Sequence, residues 1–232
     1  MTDFERPKLL TETVRDHLRD LIVRGDLKLG EAISERQLAE RLSVSKTPVR
    51  EALAQLRSEG LVQIFPQRGA FVFTLGGDEV ADICDFRQPI ETAAVRLAIA
   101  RHPNDVLFEV SQIVGEMRQR LDEGDVKRYL DLDSRFHMTF FKFCGNSYFV
   151  ETYRRYSGKI AALRTHLAVK PSHTRLSMQE HEAILDAIRN GSLEETVQIL
   201  NQHIDRTRTT YTAEITDIAA ADSRQIGKAE AT

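Results

Sequence analysis

The stretch SERQLAERLSVSKTPVREALAQLRSEG, residues 34–60, most constrains what this chain can fold into. It reads as two short helices joined by a tight turn. Leu38 and Leu42 fall on one face of the first helix. Val49, Ala52, Leu53 and Leu56 follow the i, i+3, i+4, i+7 spacing and make one apolar stripe on the second. Ser34 with Gln37 has the form of a capping box, and Ser45 can cap the second helix. Pro48 lies in the first turn of that helix, where no backbone donor is needed, and Gly60 can close it in a left-handed C-cap. Opposite the stripe lie Thr47, Arg50 and Ala54, with Lys46 on the flank. Short polar and basic groups on the N-terminal turns of a second helix are what a DNA groove receives from a recognition helix.

After Gly60 the hydrophobic period changes. Leu61–Phe65 and Ala70–Phe73 are β-prone runs linked by Pro66-Gln67-Arg68-Gly69, which predicts a hairpin directly after the recognition helix. The unit is therefore a winged helix-turn-helix. Arg68 and Gly69 stand at the wing tip, where a residue without a side chain lets backbone approach phosphate or the minor groove and Arg68 supplies charge. Bulk charge does not help this unit, because residues 1–75 hold 12 Lys/Arg against 11 Asp/Glu and the whole chain carries a formal −3. Binding to a polyanion must come from local placement at Arg36, Lys46, Arg50 and Arg68.

Gly76-Gly77 is the clearest break, and the domain boundary is placed there: 1–75 for the winged unit, 78–218 for a second domain and 219–232 for a flexible tail. Beyond the break no strand is convincing. Helical patterns run over about 78–101, 104–122, 125–144, 147–168, 177–190 and 192–217, with Asn104, Ser177 and Ser192 as N-caps. The fold class is mainly α: a winged helix-turn-helix followed by an all-helical bundle of about six helices.

Inside the bundle a second constellation stands out. Tyr129, Phe136, Phe140 and Cys144 form the apolar face of one helix, and Asp133 and His137 lie in the middle of it. His181 shares a face with Ile184, Leu185 and Ile188, and His203 with Ile199 and Leu200. A carboxylate buried unpaired costs several kcal/mol, so Asp133 needs a partner. Three imidazoles and one carboxylate make a good first shell for a divalent ion. The same residues also fit plain core roles, with Asp133–His137 as an i, i+4 hydrogen-bonded pair, and the pattern alone leaves both open. His17, His102, His166 and His173 read as surface or loop residues. Catalytic motifs are lacking: His181-Glu182 opens like HExxH, but Leu185 occupies the fifth position, and there is no GxSxG or phosphate-cradling loop. The expectation is not an enzyme.

No run approaches the roughly 20 apolar residues of a membrane span, and the opening MTDFERPKLL lacks a signal-peptide pattern. Cys84 and Cys144 are isolated, which suits reduced thiols. Together these point to a cytoplasmic protein without a membrane partner.

Residues 34–62 closely resemble the signature of GntR-family transcription regulators. RQPIETAAVRLA (87–98), DLDSRFHMTFFKFCGNSYF (131–149) and EHEAILDAIRNGSLEET (180–196) resemble the helical FCD ligand-binding domain of the FadR-like subfamily. Lys46 stands where many members have Arg, which keeps the charge but loses the bidentate fork. The resemblance implies a homodimer that reads a palindromic operator in double-stranded DNA, as a transcription regulator acting as a repressor. It implies groove contacts from Arg36, Lys46, Thr47 and Arg50, with the two arginines on guanine edges and Ser45 and Thr47 on phosphates. It places Asp133, His137, His181 and His203 at the four metal-ligand positions, for Zn²⁺ first, with Ni²⁺ and Mn²⁺ as alternatives. It further implies a small carboxylate effector, with Arg87, Arg135 and Asn146 as candidate contacts. Pairing with Glu91 one turn on is the competing role for Arg87. A regulator with a purely structural metal, or a metal-dependent enzyme with a DNA-binding head, are the other readings. Replacing Arg50 with Ala is expected to lower operator affinity by about 1–3 kcal/mol without unfolding the protein, measured by titration of a labelled operator; unchanged binding would remove Arg50 from the interface.

Overall fold

The computed structural model describes the backbone of residues 9–229 and the side chains through 213. The chain divides into two compact units. The first comprises the chain up to Thr74 together with Arg154–Thr165; the second comprises Leu75–Tyr153 and the chain from His166 onward.

In the first unit, α1 (Leu10–Val23) is followed by β1 (Ala32–Ile33), α2 (Glu35–Arg41), α3 (Lys46–Ser58), β2 (Val62–Phe65) and β3 (Gly69–Val72). Val14, Leu18 and Ile22 of α1 meet the predicted stripe of α3, and Val49, Ala52, Leu53 and Leu56 are all fully or almost fully buried. The flank of α3 is stapled to α1 by polar pairs. Thr11 Oγ1 donates to Glu51 at 2.7 Å, Arg15 to Gln55 at 3.2 Å, and Arg19 holds Glu59 at 2.6 Å. These pairs engage Glu51, Gln55 and the C-cap residue Glu59 on the side of α3 that faces α1.

Ser34 caps α2, accepting from the Gln37 N–H at 3.3 Å. The turn after α2 closes as a Schellman motif. Val44 N–H donates to Ala39 O at 3.0 Å and Ser43 N–H to Glu40 O at 3.2 Å. Ser43 itself sits at φ +54, a left-handed position that usually goes to glycine. Ser45 occupies the N-cap position of α3, but its side chain makes no capping hydrogen bond.

The hairpin forms as predicted, with β2 and β3 paired antiparallel from Val62↔Val72 to Phe65↔Gly69. A third strand escaped the sequence reading. β1 has only two residues and pairs with β3 through Ala32↔Phe71 and Ile33↔Ala70, giving the order β1-β3-β2. Two residues carry no measurable alternation, so nothing in the pattern marks it.

The second unit holds α4 (Gly77–Arg101), α5 (Pro103–Asp122), α6 (Val126–Phe143), α8 (Pro171–Arg189) and α9 (Leu193–Ala229), with the ends of α7 (Ser147–Leu167). Val95, Ala98, Val110, Met117, Phe136, Phe140, Ile184 and Leu200 form its core. The bundle of six helices matches the expectation, with corrected edges. α8 begins at Pro171 rather than at Ser177, because proline at a first helical position needs no acceptor; Ser177 is a buried residue inside the helix, not a cap. His102, not Asn104, precedes α5, again with proline at its start. The tail expected over 219–232 falls on helical backbone to Ala229 and thereafter outside the described residues.

The domain limits also differ from 1–75 and 78–218. Gly158 of α7 lies so close to Leu61 that a Cβ there would stand 2.8 Å from the leucine side chain. The Lys159 ammonium is 5.4 Å from the centre of the Phe73 ring. The middle of α7 thus completes the core of the first unit, and brings to it Arg154, Arg155, Lys159 and Arg164 with no acidic residue. Helical periodicity shows that a face is buried, not which body buries it. Replacing Ser43 with Val, whose branched side chain is poorly tolerated at positive φ, is expected to cost about 1–2 kcal/mol. Ser43→Gly should hold or raise stability, with both read from chemical unfolding of the full-length protein.

Candidate DNA-reading head and metal centre

On the head, the residues proposed for DNA contact are exposed together. Arg36, Ser45, Lys46, Thr47 and Arg50 are all solvent-accessible on α2 and the N-terminal half of α3. The capped start of α2 and the left-handed turn at Ser43 fix the angle between these helices. Two of the arginines are paired within the head: Arg36 with Glu40 at 3.3 Å, and Arg50 Nε with Glu35 Oε2 at 2.6 Å. The wing turn places Gln67 at φ +62 and Gly69 at φ +93, and open space surrounds the position a Gly69 Cβ would take. The Arg68 guanidinium rests 5.7 Å from the Phe65 ring centre and 6.0 Å from that of Phe71. Two aromatic faces hold the cation at the tip of the hairpin.

In the bundle, three helices bring their imidazoles to one point. α6 supplies His137, α8 His181 and α9 His203, all buried, with one potential ligand atom from each within 4.8 Å of the others. Asp133, one turn before His137 and 2% exposed, places Oδ1 3.5 Å from His181 Nε2. Donors that share one ion at about 2.0–2.2 Å lie roughly 3–4 Å apart; the Asp133–His181 pair has that spacing, the three imidazoles lie within 4.8 Å of one another, and the donor types suit a divalent ion. The rings pack against Phe136, whose centre is 4.3 Å from that of His181.

The second layer is more informative than the first. His137 Nδ1 donates to Glu91 Oε2 at 2.6 Å, and His203 Nδ1 donates to Glu180 Oε2 at 2.7 Å. Each bond fixes the ring and leaves Nε2 as the ligand atom, which is the usual way a carboxylate sets up a metal-binding histidine. Glu91 is in turn held by Arg87 Nε at 2.6 Å, and Glu180 by two nitrogens of Arg206 at 2.7 and 2.6 Å. Burial works to raise both acids. For Glu91, the Arg87 charge and His137 outweigh it and hold the carboxyl well below the ordinary range. For Glu180, the bonds from His203 and Arg206 bring it down to about 2. Both carboxylates are therefore charged, and the proton sits on the histidine Nδ1.

Comparison with known proteins assigns both units. The profile of bacterial regulatory proteins, gntR family, matches residues 10–72, and that of the FCD domain matches residues 82–206. The chain belongs to the GntR family. A transcriptional regulator from an unstable DNA locus of Streptomyces ambofaciens is 31% identical over 76% of this chain and 74% of its own length. The transcriptional repressor RspR of Escherichia coli K12 is 25% identical over 81% of this chain and 82% of its own. Among solved structures, E. coli McbR/YncC superposes with a TM-score of 0.78 at 23% identity, covering 90% of this chain and 100% of that one. As a GntR-family protein with an FCD domain, the chain is a DNA-binding transcription regulator rather than an enzyme.

Within this GntR-family frame the candidate residues sort clearly. Asp133, His137, His181 and His203 come together. Arg87 is 0% exposed and belongs to the same charged chain, so its pairing with Glu91 and a ligand role are not exclusive: only Nε is used. Arg135 is exposed and does not join the cluster. Asn146 is spent on helix geometry, its Oδ1 accepting from Tyr148 N–H at 3.1 Å and Phe149 N–H at 3.4 Å at the start of α7. His173, read as a surface residue, is half-buried in the first turn of α8 and accepts from Arg206 Nη1 at 2.8 Å. Glu180, which the sequence does not single out for the site, is the partner of His203. Its neighbour His181 was the available signal, though nothing in the sequence says which of two adjacent polar residues faces which helix. Replacing Glu180 with Gln removes the charge behind His203 and is expected to weaken retention of Zn²⁺ about 10–100-fold, measured by competition with a chromophoric chelator; undiminished retention would detach Glu180 from the site.

Proposed function

We propose that this protein is a ligand-responsive repressor of the bacterial cytoplasm. It binds a palindromic operator as a homodimer and releases it when a small carboxylate enters the helical domain beside a divalent ion, with Zn²⁺ the first candidate and Ni²⁺ or Mn²⁺ the others. The observation that carries the effector reading is Arg87. Its guanidinium is fully buried, yet among the described residues Nη1 and Nη2 have no hydrogen-bond partner. Orphaned donors on a buried cation cost free energy that an anion accepting from both would recover.

Charge counting supports the same conclusion. Arg87 balances Glu91, and one divalent ion against Asp133 leaves a net positive charge. A monoanion neutralises it, and a neutral ligand does not. When bound, the ion supplies an open position to which a carboxylate oxygen can bind directly. The protein's own part is to orient His137 through Glu91 and His203 through Glu180, and to offer the Arg87 fork. The repressor sense follows the name carried by RspR. Effector binding changes operator affinity only as far as the effector distinguishes the two states of the dimer.

On the head, Arg36 and Arg50 are the base contacts, Lys46 joins them in the groove, Ser45 and Thr47 bind phosphates, and Arg68 with Gly69 enters the minor groove. Elemental analysis of the purified protein should find a divalent ion near one per chain; none present, and none taken up on adding Zn²⁺ or Ni²⁺, would sink the site. With the ion in place, a thermal-shift screen of small carboxylates should find one that raises the melting temperature and also releases the protein from an operator selected out of random DNA. His137→Ala should abolish that response. A screen that yields no such acid, or one whose effect survives His137→Ala, refutes the sensing site.

A further inference from the structure

Arg50 and Glu35 lie fifteen positions apart, on different helices of the head, and meet at 2.6 Å. Glu35 is the first residue of α2, directly after the Ser34 cap, and its side chain is 38% exposed against 65% for Arg50. A carboxylate at this place is costly for a DNA-binding protein, since docking brings it towards a polyanion. Surface ion pairs return little stability, and α2 already has its cap. The geometry of the pair gives it another use. Glu35 accepts from Nε, so it engages the side edge of the guanidinium, and among the described residues Nη1 and Nη2 are left without a hydrogen bond for a second acceptor. Two parallel donors are what the O6 and N7 atoms of guanine require, and a planar fork discriminates only when its plane is set.

We propose that Glu35 is a positioning residue for DNA reading: it holds Arg50 by Nε so that its terminal edge meets guanine end-on, giving up overall affinity to gain sequence discrimination. The inference rests on Arg50 being a base contact. The pair predates docking, so the arginine loses less rotamer freedom on binding than a loose side chain would. Because Glu35 acts through Arg50, it has no discriminating power of its own.

The test uses the full-length protein at one fixed salt concentration. An operator is selected from random DNA by the wild type, and affinity is measured for it and for a scrambled duplex. Glu35→Ala should bind the scrambled duplex several-fold more tightly, since a negative charge is gone, and the ratio of operator to scrambled affinity should fall about tenfold. Glu35→Gln, which keeps an acceptor for Nε, should share the gain on scrambled DNA but retain most of the ratio. In an Arg50→Ala background, Glu35→Ala should lower the ratio no further. A ratio unchanged by Glu35→Ala would reduce Glu35 to a surface charge and overturn the proposal. So would losses that add in the double variant, which would place its action elsewhere. Failure of the underlying reading is separately visible: Arg50→Ala alone would then leave the ratio intact.

Discussion

The Glu91 carboxylate is the point on which the bundle's interior depends. One oxygen accepts from Arg87 and the other from His137, and all three groups are excluded from water. Removing such charges from solvent costs several kcal/mol each, and only close mutual pairing offsets it. Glu91 therefore does two things at once. It makes a buried arginine tolerable, and it forces the ring of His137 to aim its other nitrogen at His181 and His203. Neither the cation nor the imidazole could hold its position if that acid were missing. The same design recurs in looser form at Glu180, which is partly open to solvent and ties His203 to Arg206 and His173.

Most of the architecture was legible in the sequence, because it rests on patterns that local chemistry enforces. The stripe Val49–Ala52–Leu53–Leu56 makes α3 and its partner face together. The change of period after Gly60 marks the wing, and the inward histidines follow from helical spacing alone. What could not be read depends on contacts between residues remote in sequence. β1 exists only because β3 offers an edge to two residues. Asn146 looked like a polar contact for a ligand and is a helix cap. Arg135 stands next to inward residues, yet one step along a helix turns a side chain about 100° away. His173 lay just before the expected helix start, and proline moves the true start upstream of it.

The head illustrates a different balance. Its acids are not scattered at random: Glu51 and Glu59 are taken up by α1, and Glu35 and Glu40 by Arg50 and Arg36. Arg36 and Arg50 are thus partly neutralised where they stand, while further positive charge reaches this unit from α7 through Arg154, Arg155 and Lys159.

Gly158 has one more consequence. Leu61 and Phe73, both essentially inaccessible to water, owe part of their cover to a helix more than eighty positions downstream in the chain. The DNA-reading head is thus not a detachable module. A fragment ended at the glycine pair after Leu75 would carry every candidate DNA-contact residue and still expose an apolar seam where α7 had been. A graft of this head onto another sensor would have to bring a matching helix with a residue as small as glycine at the crossing. Recombination between relatives at the apparent linker would meet the same obstacle, and this favours inheritance of the two units as one piece.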